Sequence, residues 1–193
     1  MKIRYMFTVA AMTLLAACSS KEPVQEVAEC VFADGSNQPA PAWVCGAPVE
    51  GADLTAVGYA DKSAAGPNFM KQMAATAARV ELAQTMKVEM QNMIKQYAET
   101  TGVGDDETVD RVNSSTTKQI TKEELVGSRI FRQMMTPSGG MVVVVGLDAD
   151  TVNKISEQAL KTSMNNEKAL WQKFQSKKSF DEMAEEIAKM REQ

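Results

Sequence analysis

The run "MVVVVGL", Met141 to Leu147, constrains this chain more than any other stretch. Four consecutive valines, Val142 to Val145, leave neither face polar, so the segment reads as a strand buried on both sides. Pro137-Ser138-Gly139-Gly140 before it is tight-turn chemistry. Leu125 to Thr136 reads as the partner strand of a hairpin. A central strand of this kind needs further strands and at least one helical layer to cover it.

The rest of the chain supplies them. "PAWVCGAP" from Pro41 reads as strand-like, and "LTAVGYAD", Leu54 to Asp61, as a second apolar run. Gly66-Pro67 breaks the chain, and Pro67 or Asn68 opens a long helix reaching about Thr100. Met73, Ala77, Val80, Ala83, Met86, Met90, Ile94 and Tyr97 recur at spacings of three and four and define its expected core face. The small residues of "AATAAR" suit close approach to a sheet. Thr101 to Asp106 ends this helix. Glu107 to Glu124, polar with Val109, Val112 and Ile120 at helical spacing, predicts a loosely packed helix.

Asp148 or Asp150 caps a helix running to about Met164. A last helix is expected from Glu167 to about Arg191, with Leu170, Trp171 and Phe174 as one apolar patch. Phe180, Met183, Ala184, Ile187 and Met190 form another. This tail either docks on the parent domain or contacts another chain. The fold class is therefore α+β: a small antiparallel sheet, in β-α-β-β-α order, with helices packed on one face and a C-terminal helical extension. The boundaries read 1–17 signal peptide, 18–40 flexible tether, 41–165 α+β domain and 166–193 C-terminal amphipathic helix.

The start of the chain concerns location. Lys2 and Arg4 precede a short apolar core, Tyr5 to Ala17, too short for a comfortable membrane span. Leu15-Ala16-Ala17-Cys18 resembles the bacterial lipobox, which implies a diacylglycerol on the Cys18 thiol, cleavage before it and an N-acyl chain, palmitate being the type of acyl group. Several acyl chains anchor stably where one binds marginally. Ser19 follows the cysteine where an Asp would resemble an inner-membrane retention signal, so the outer membrane is expected. Of the 3 cysteines, Cys30 and Cys45 remain once Cys18 is lipidated. In an oxidising compartment they read as a disulfide.

Composition excludes several functions. The chain has no histidine, which removes Ser-His and Cys-His nucleophile activation and imidazole metal sites. Its net charge is −4, and the loss of Lys2 and Arg4 makes the mature chain more acidic, so nucleic acid is not an expected partner. The methionines along the long helix fit core packing better than copper ligation. Asp105, Asp106 and Glu107 lack the spacing of a calcium loop. No catalytic residue, metal or cofactor beyond the acyl chains on Cys18 is expected. The chain reads as non-enzymatic.

"PAWV", "LTAVGYA", "AATAARVELAQTM" and "MVVVVGLD", in this order behind the lipobox, make the chain similar to the twenty-kilodalton bacterial outer-membrane lipoprotein family over about Cys18 to Lys161. The resemblance implies an outer-membrane lipoprotein of the cell envelope with an α+β domain and no catalysis. Some members resemble flagellar accessory lipoproteins. The tail and the Cys30–Cys45 pair depart from the family pattern. Expected partners are the membrane, through the lipid, and envelope proteins or further copies of the chain. Trp43, Arg79, Glu81, Trp171 and Phe174 are the candidate partner contacts. The alternative is a ligand-binding or regulatory lipoprotein acting on an envelope enzyme, which requires an apolar pocket with converging polar groups.

Overall fold

The computed structural model of the protein describes residues 30–122, 125–175 and 177–192. The signal peptide, Cys18 and the tether up to Glu29 lie outside the described residues.

The valine run is the middle of the sheet. Strand β1 (Leu54–Ala60), helix α1 (Pro67–Thr101), helix α2 (Asp106–Lys122), strands β2 (Arg129–Met135) and β3 (Met141–Leu147), and helices α3 (Ala149–Asn166), α4 (Lys168–Phe174) and α5 (Phe180–Lys189) follow in order. The sheet order is β1-β3-β2, antiparallel throughout. Every residue of β3 is buried. Met141, Val143, Val145 and Leu147 face the helical core, while Val142 packs with Phe32 and Val44 on the opposite face. Strand β2 starts at Arg129 rather than Leu125, because Leu125 to Ser128 forms a turn closed by the Ser128 N–H donating to the Leu125 carbonyl.

The helical layer rests on a contact between backbones. A Cβ at Gly58 of β1 would stand 2.1 Å from the Ala74 carbonyl oxygen and 2.5 Å from the Ala78 nitrogen of α1. Only glycine on the strand and alanines on the helix permit that approach. Helix α1 ends where Gly102 adopts φ 67°, a left-handed conformation that glycine takes without a Cβ penalty.

The core face of α1 corrects the expected stripe. Met70, Ala74, Ala78 and Leu82 are buried, followed by Met86, Met90, Ile94 and Tyr97. Met73, Ala77 and Val80 point to solvent, and Ala83 is half-buried. Two apolar stripes compete on the first half of this helix. The sheet selects the one with alanines because it alone allows the close contact at Gly58.

Helix α2 forms as expected, and its polarity has a structural reason. Val112 and Ile120 are buried, but so are Asn113, Ser115, Thr116 and Gln119. Ser115 meets Ser163 of α3 at 2.7 Å between hydroxyls, and Ser163 also accepts the Trp171 indole N–H at 3.0 Å. Ser115, Ser163 and Trp171 thus satisfy one another where α2, α3 and α4 meet, whereas Asn113 Oδ1 and Thr116 Oγ1 are buried without a hydrogen-bond partner among the described residues.

The C-terminal segment is two helices, not one. Ser179 and Glu182 form a reciprocal capping box that starts α5 anew. The Ser-x-x-Glu spacing is visible in the sequence and marks the break. Asp148 caps α3 by accepting from the Thr151 N–H at 2.9 Å.

The tether also ends earlier than expected. Residues 30–40 fold back on themselves: Val31 bridges Pro39, and Phe32 is buried under the sheet. Ala42–Cys45 is a 3-10 helix rather than a strand. Cys30 and Cys45 are joined, S–S 2.09 Å. This disulfide-closed layer covers the sheet face that α1 leaves open, which is why β3 needs no polar face. A 15-residue loop closed in this way contributes about 3 kcal/mol. Replacing both cysteines by serine is expected to lower stability by about that amount, read by denaturant titration, with chymotrypsin cutting first at Phe32 or Trp43.

Asp34 fastens this layer to the hairpin. Its carboxylate accepts from the Ser36 N–H at 3.0 Å and from the Ser138 N–H at 2.9 Å. Hydrogen bonding from Ser36 first, and from Ser138, holds its carboxyl well below the usual carboxylate range. A depressed folded value means the stabilisation is present above the unfolded pKa of about 3.9 and lost as pH falls further toward the folded value. Asp34→Asn is therefore expected to be less stable than the parent at pH 7, with the two converging below pH 3. Melts across pH 2–7 read this directly, and parallel curves would contradict it.

Candidate functional site

The structure distributes the candidate partner residues over different environments rather than bringing them together. Trp171 and Phe174 are fully buried, edge to face at 5.4 Å, with Phe174 against Tyr97 at 5.8 Å. They form part of the domain's own core. This corrects their assignment as partner contacts and resolves the tail's alternatives: α4 and α5 dock on the parent domain through Trp171, Phe174, Met183, Ala184 and Ile187. A side chain that has already lost all contact with water has no surface to offer.

Arg191, just after α5, secures the end of the tail. It pairs with Asp53 before β1 and with Glu89 of α1. Burial raises the Glu89 carboxyl above its ordinary value. Trp43 is half-buried beside Phe32, Val44 and Val142, so it belongs to the disulfide layer. Arg79 donates through Nε to Ser128 Oγ at 3.0 Å and ties α1 to the turn before β2. Glu81 is exposed on α1. Of the five, Glu81 alone stands openly at the surface.

Met73 and Val80, which the sequence reading placed in the core, instead belong to an exposed apolar surface with Phe69 and Val88. Phe69, Met73, Val80 and Val88 of α1 are 45%, 48%, 58% and 55% exposed. They lie on the side of α1 turned away from the sheet. Beside them runs an open groove of about 590 Å³ lined by Val80, Ala83, Lys87, Leu125 and Val126, among others. The signal that would have found this surface was present in the helix: apolar residues recur on both of its sides, and only one can face the sheet.

A second surface is the edge of the sheet. Strand β1 pairs with β3 along its whole length and, among the described residues, with no strand on its other side. Its sequence, LTAVGYA, carries no charge. The other edge strand, β2, carries Arg129 and Arg132 and a register irregularity between Ile130 and Arg132. Charges and bulges of this kind protect an edge from further pairing, and β1 lacks them.

Among the described residues, no group of three or more Cys, Asp or Glu side chains is placed to hold a metal ion. No described helix is long and apolar enough to cross a membrane.

These features define a class: an α+β domain with a disulfide-closed layer and an open helix face, behind an N-terminal stretch that resembles a lipobox. The model of the LPP20 lipoprotein family matches residues 41–148, from the 3-10 helix to the cap of α3. The chain belongs to that family, a family of membrane-associated lipoproteins. No curated protein and no solved structure matches the chain. The matched region holds the whole sheet, α1 and α2, whereas α3, α4, α5 and the disulfide's Cys30 lie beyond it.

Proposed function

We propose that this chain is a non-catalytic lipoprotein of the bacterial outer membrane, anchored by acyl chains on Cys18, whose domain assembles with further copies or with other envelope proteins. The observation that carries this reading is the free, uncharged edge of β1 in a sheet of three strands. An extended segment of a partner adds to such an edge through main-chain hydrogen bonds. Lipidation confines copies to one surface and raises their effective concentration, so a weak edge contact suffices. The lack of histidine and the placement of acidic residues on helix surfaces and turns support a binding role over catalysis.

The test is crosslinking of the native, lipidated protein in cells, followed by mass identification of its neighbours. Crosslinks between copies, or to envelope structural proteins through peptides containing Leu54–Ala60, support the assembly reading. Neighbours from the flagellar ring would specify the accessory role that the family resemblance implies. The groove beside Val80 favours a second reading, a regulatory module for an envelope enzyme. Crosslinks to a cell-wall synthase without self-crosslinks would establish that reading in place of the first.

A further inference from the structure

We propose that the outer face of α1 lies on the lipid leaflet that holds the anchor, so that the domain docks flat on anionic phospholipid headgroups. The face is built from residues 69, 73, 76, 77, 80, 84, 87, 88, 91 and 95, which share the side of α1 opposite the sheet. It carries Phe69, Met73, Val80 and Val88, all exposed. It also carries Lys87 and Lys95, of which Lys95 borders a groove shared with Glu99, Asp106 and Asp110. None of these ten positions is acidic, in a chain with 25 acidic and 21 basic residues; Glu81 stands at the flank. An acidic protein that presents one face of apolar, neutral polar (Thr76, Gln84, Gln91) and cationic side chains, with no acid among them, is complementary there to a negatively charged leaflet. The exposed apolar side chains can enter the headgroup–acyl boundary while the lysines stay among the headgroups.

The length of the chain between anchor and domain permits this. Cys30 is on the sheet face opposite α1, twelve positions after Cys18. Twelve residues span at most about 40 Å. The path from the disulfide layer around the sheet to the outer side of α1 is about 30 Å, given helix and layer dimensions. The anchor supplies most of the attachment, so the face needs only to orient the domain. This orientation leaves the edge of β1 free to meet a partner. It rests on the Cys18 anchor of the proposed function and not on the assembly reading.

The test uses the mature lipidated chain in phosphatidylethanolamine–phosphatidylglycerol vesicles, at no more than one copy per vesicle. The vesicles contain a phospholipid bearing a diazirine on its acyl chain. Photolabelling and peptide mapping are expected to place label on Phe69–Val88 and not on α5. Phosphatidylcholine vesicles should weaken α1 labelling, by about fivefold for each lysine that meets the headgroups. The double variant Met73→Glu/Val80→Glu should lose the α1 label while staying vesicle-bound through its anchor. Both side chains are exposed, so its melting temperature should match the parent; if it does not, Lys87→Glu/Lys95→Glu replaces it. Equal labelling of α1 and α5, label unchanged in the charge-reversal variant, or α1 labelling only at high protein density would overturn the proposal. The last result would mean that a second copy covers the face.

Discussion

A Gly58→Val chain is expected not to fold. Any Cβ at this position enters the space held by the Ala74 carbonyl and the Ala78 amide, at 2.1 and 2.5 Å. Both are backbone atoms of a hydrogen-bonded helix and have no rotamer through which to yield. The helix must lift off the sheet, and with it go the contacts of Met70, Leu82, Val143 and Val145. Overpacking a core costs typically 1–3 kcal/mol and more where the backbone must move, so about 3 kcal/mol is the lower bound here. Folded domains are stable by only about 5–15 kcal/mol. Gly58→Ala is the milder version and should give a measurable, strongly lowered denaturant midpoint. Gly46→Ala is the control: Gly46 has φ 87° but nothing within 4 Å of its added Cβ, so only the backbone strain of about 1 kcal/mol is expected. If Gly58→Ala proves no worse than Gly46→Ala, the close packing of α1 on β1 is wrong.

The second large effect is expected at Trp171. Removing a fully buried tryptophan costs about 3–5 kcal/mol, and Trp171→Ala also takes away the edge contact with Phe174 and the N–H that Ser163 accepts. Trp171→Phe separates these contributions. It keeps most of the ring and loses the indole donor, so a loss of about 1 kcal/mol is expected. Deleting everything after Asn166 should be at least as damaging as Trp171→Ala, because it uncovers Tyr97 and Leu160 together. Were the tail a docking arm for another chain, truncation would leave the melting temperature of the lipidated protein unchanged and weaken only its associations. Thermal melts of these three variants decide between the two roles.

The strand run at Val142–Val145, the Gly-rich turn before it, the Pro67 start and the Asp148 cap were legible because each is a local preference that the fold respects. The small-residue segment "AATAAR" was legible as a close contact, although not which residue opposed it. The stripe Met73–Ala77–Val80–Ala83 was misassigned for a physical reason. Periodicity reports that a helix side is apolar and does not say what lies against it. In the same way, Trp171 and Phe174 look identical in sequence whether they fill their own domain's core or a partner's.

By itself, the sequence determined most of the strands and helices, their order, the α+β class and the cysteine pairing, because these depend on neighbouring residues, on covalent geometry or on the number of cysteines available. Tertiary structure alone decided which side of α1 is core and which is surface, that residues 30–45 cover the second face of the sheet, and that the tail belongs to the domain. Each of these depends on which apolar surfaces meet in space. The glycine at 58 admits one helix face, and everything left outward, from Phe69 to Val88, follows from that single contact.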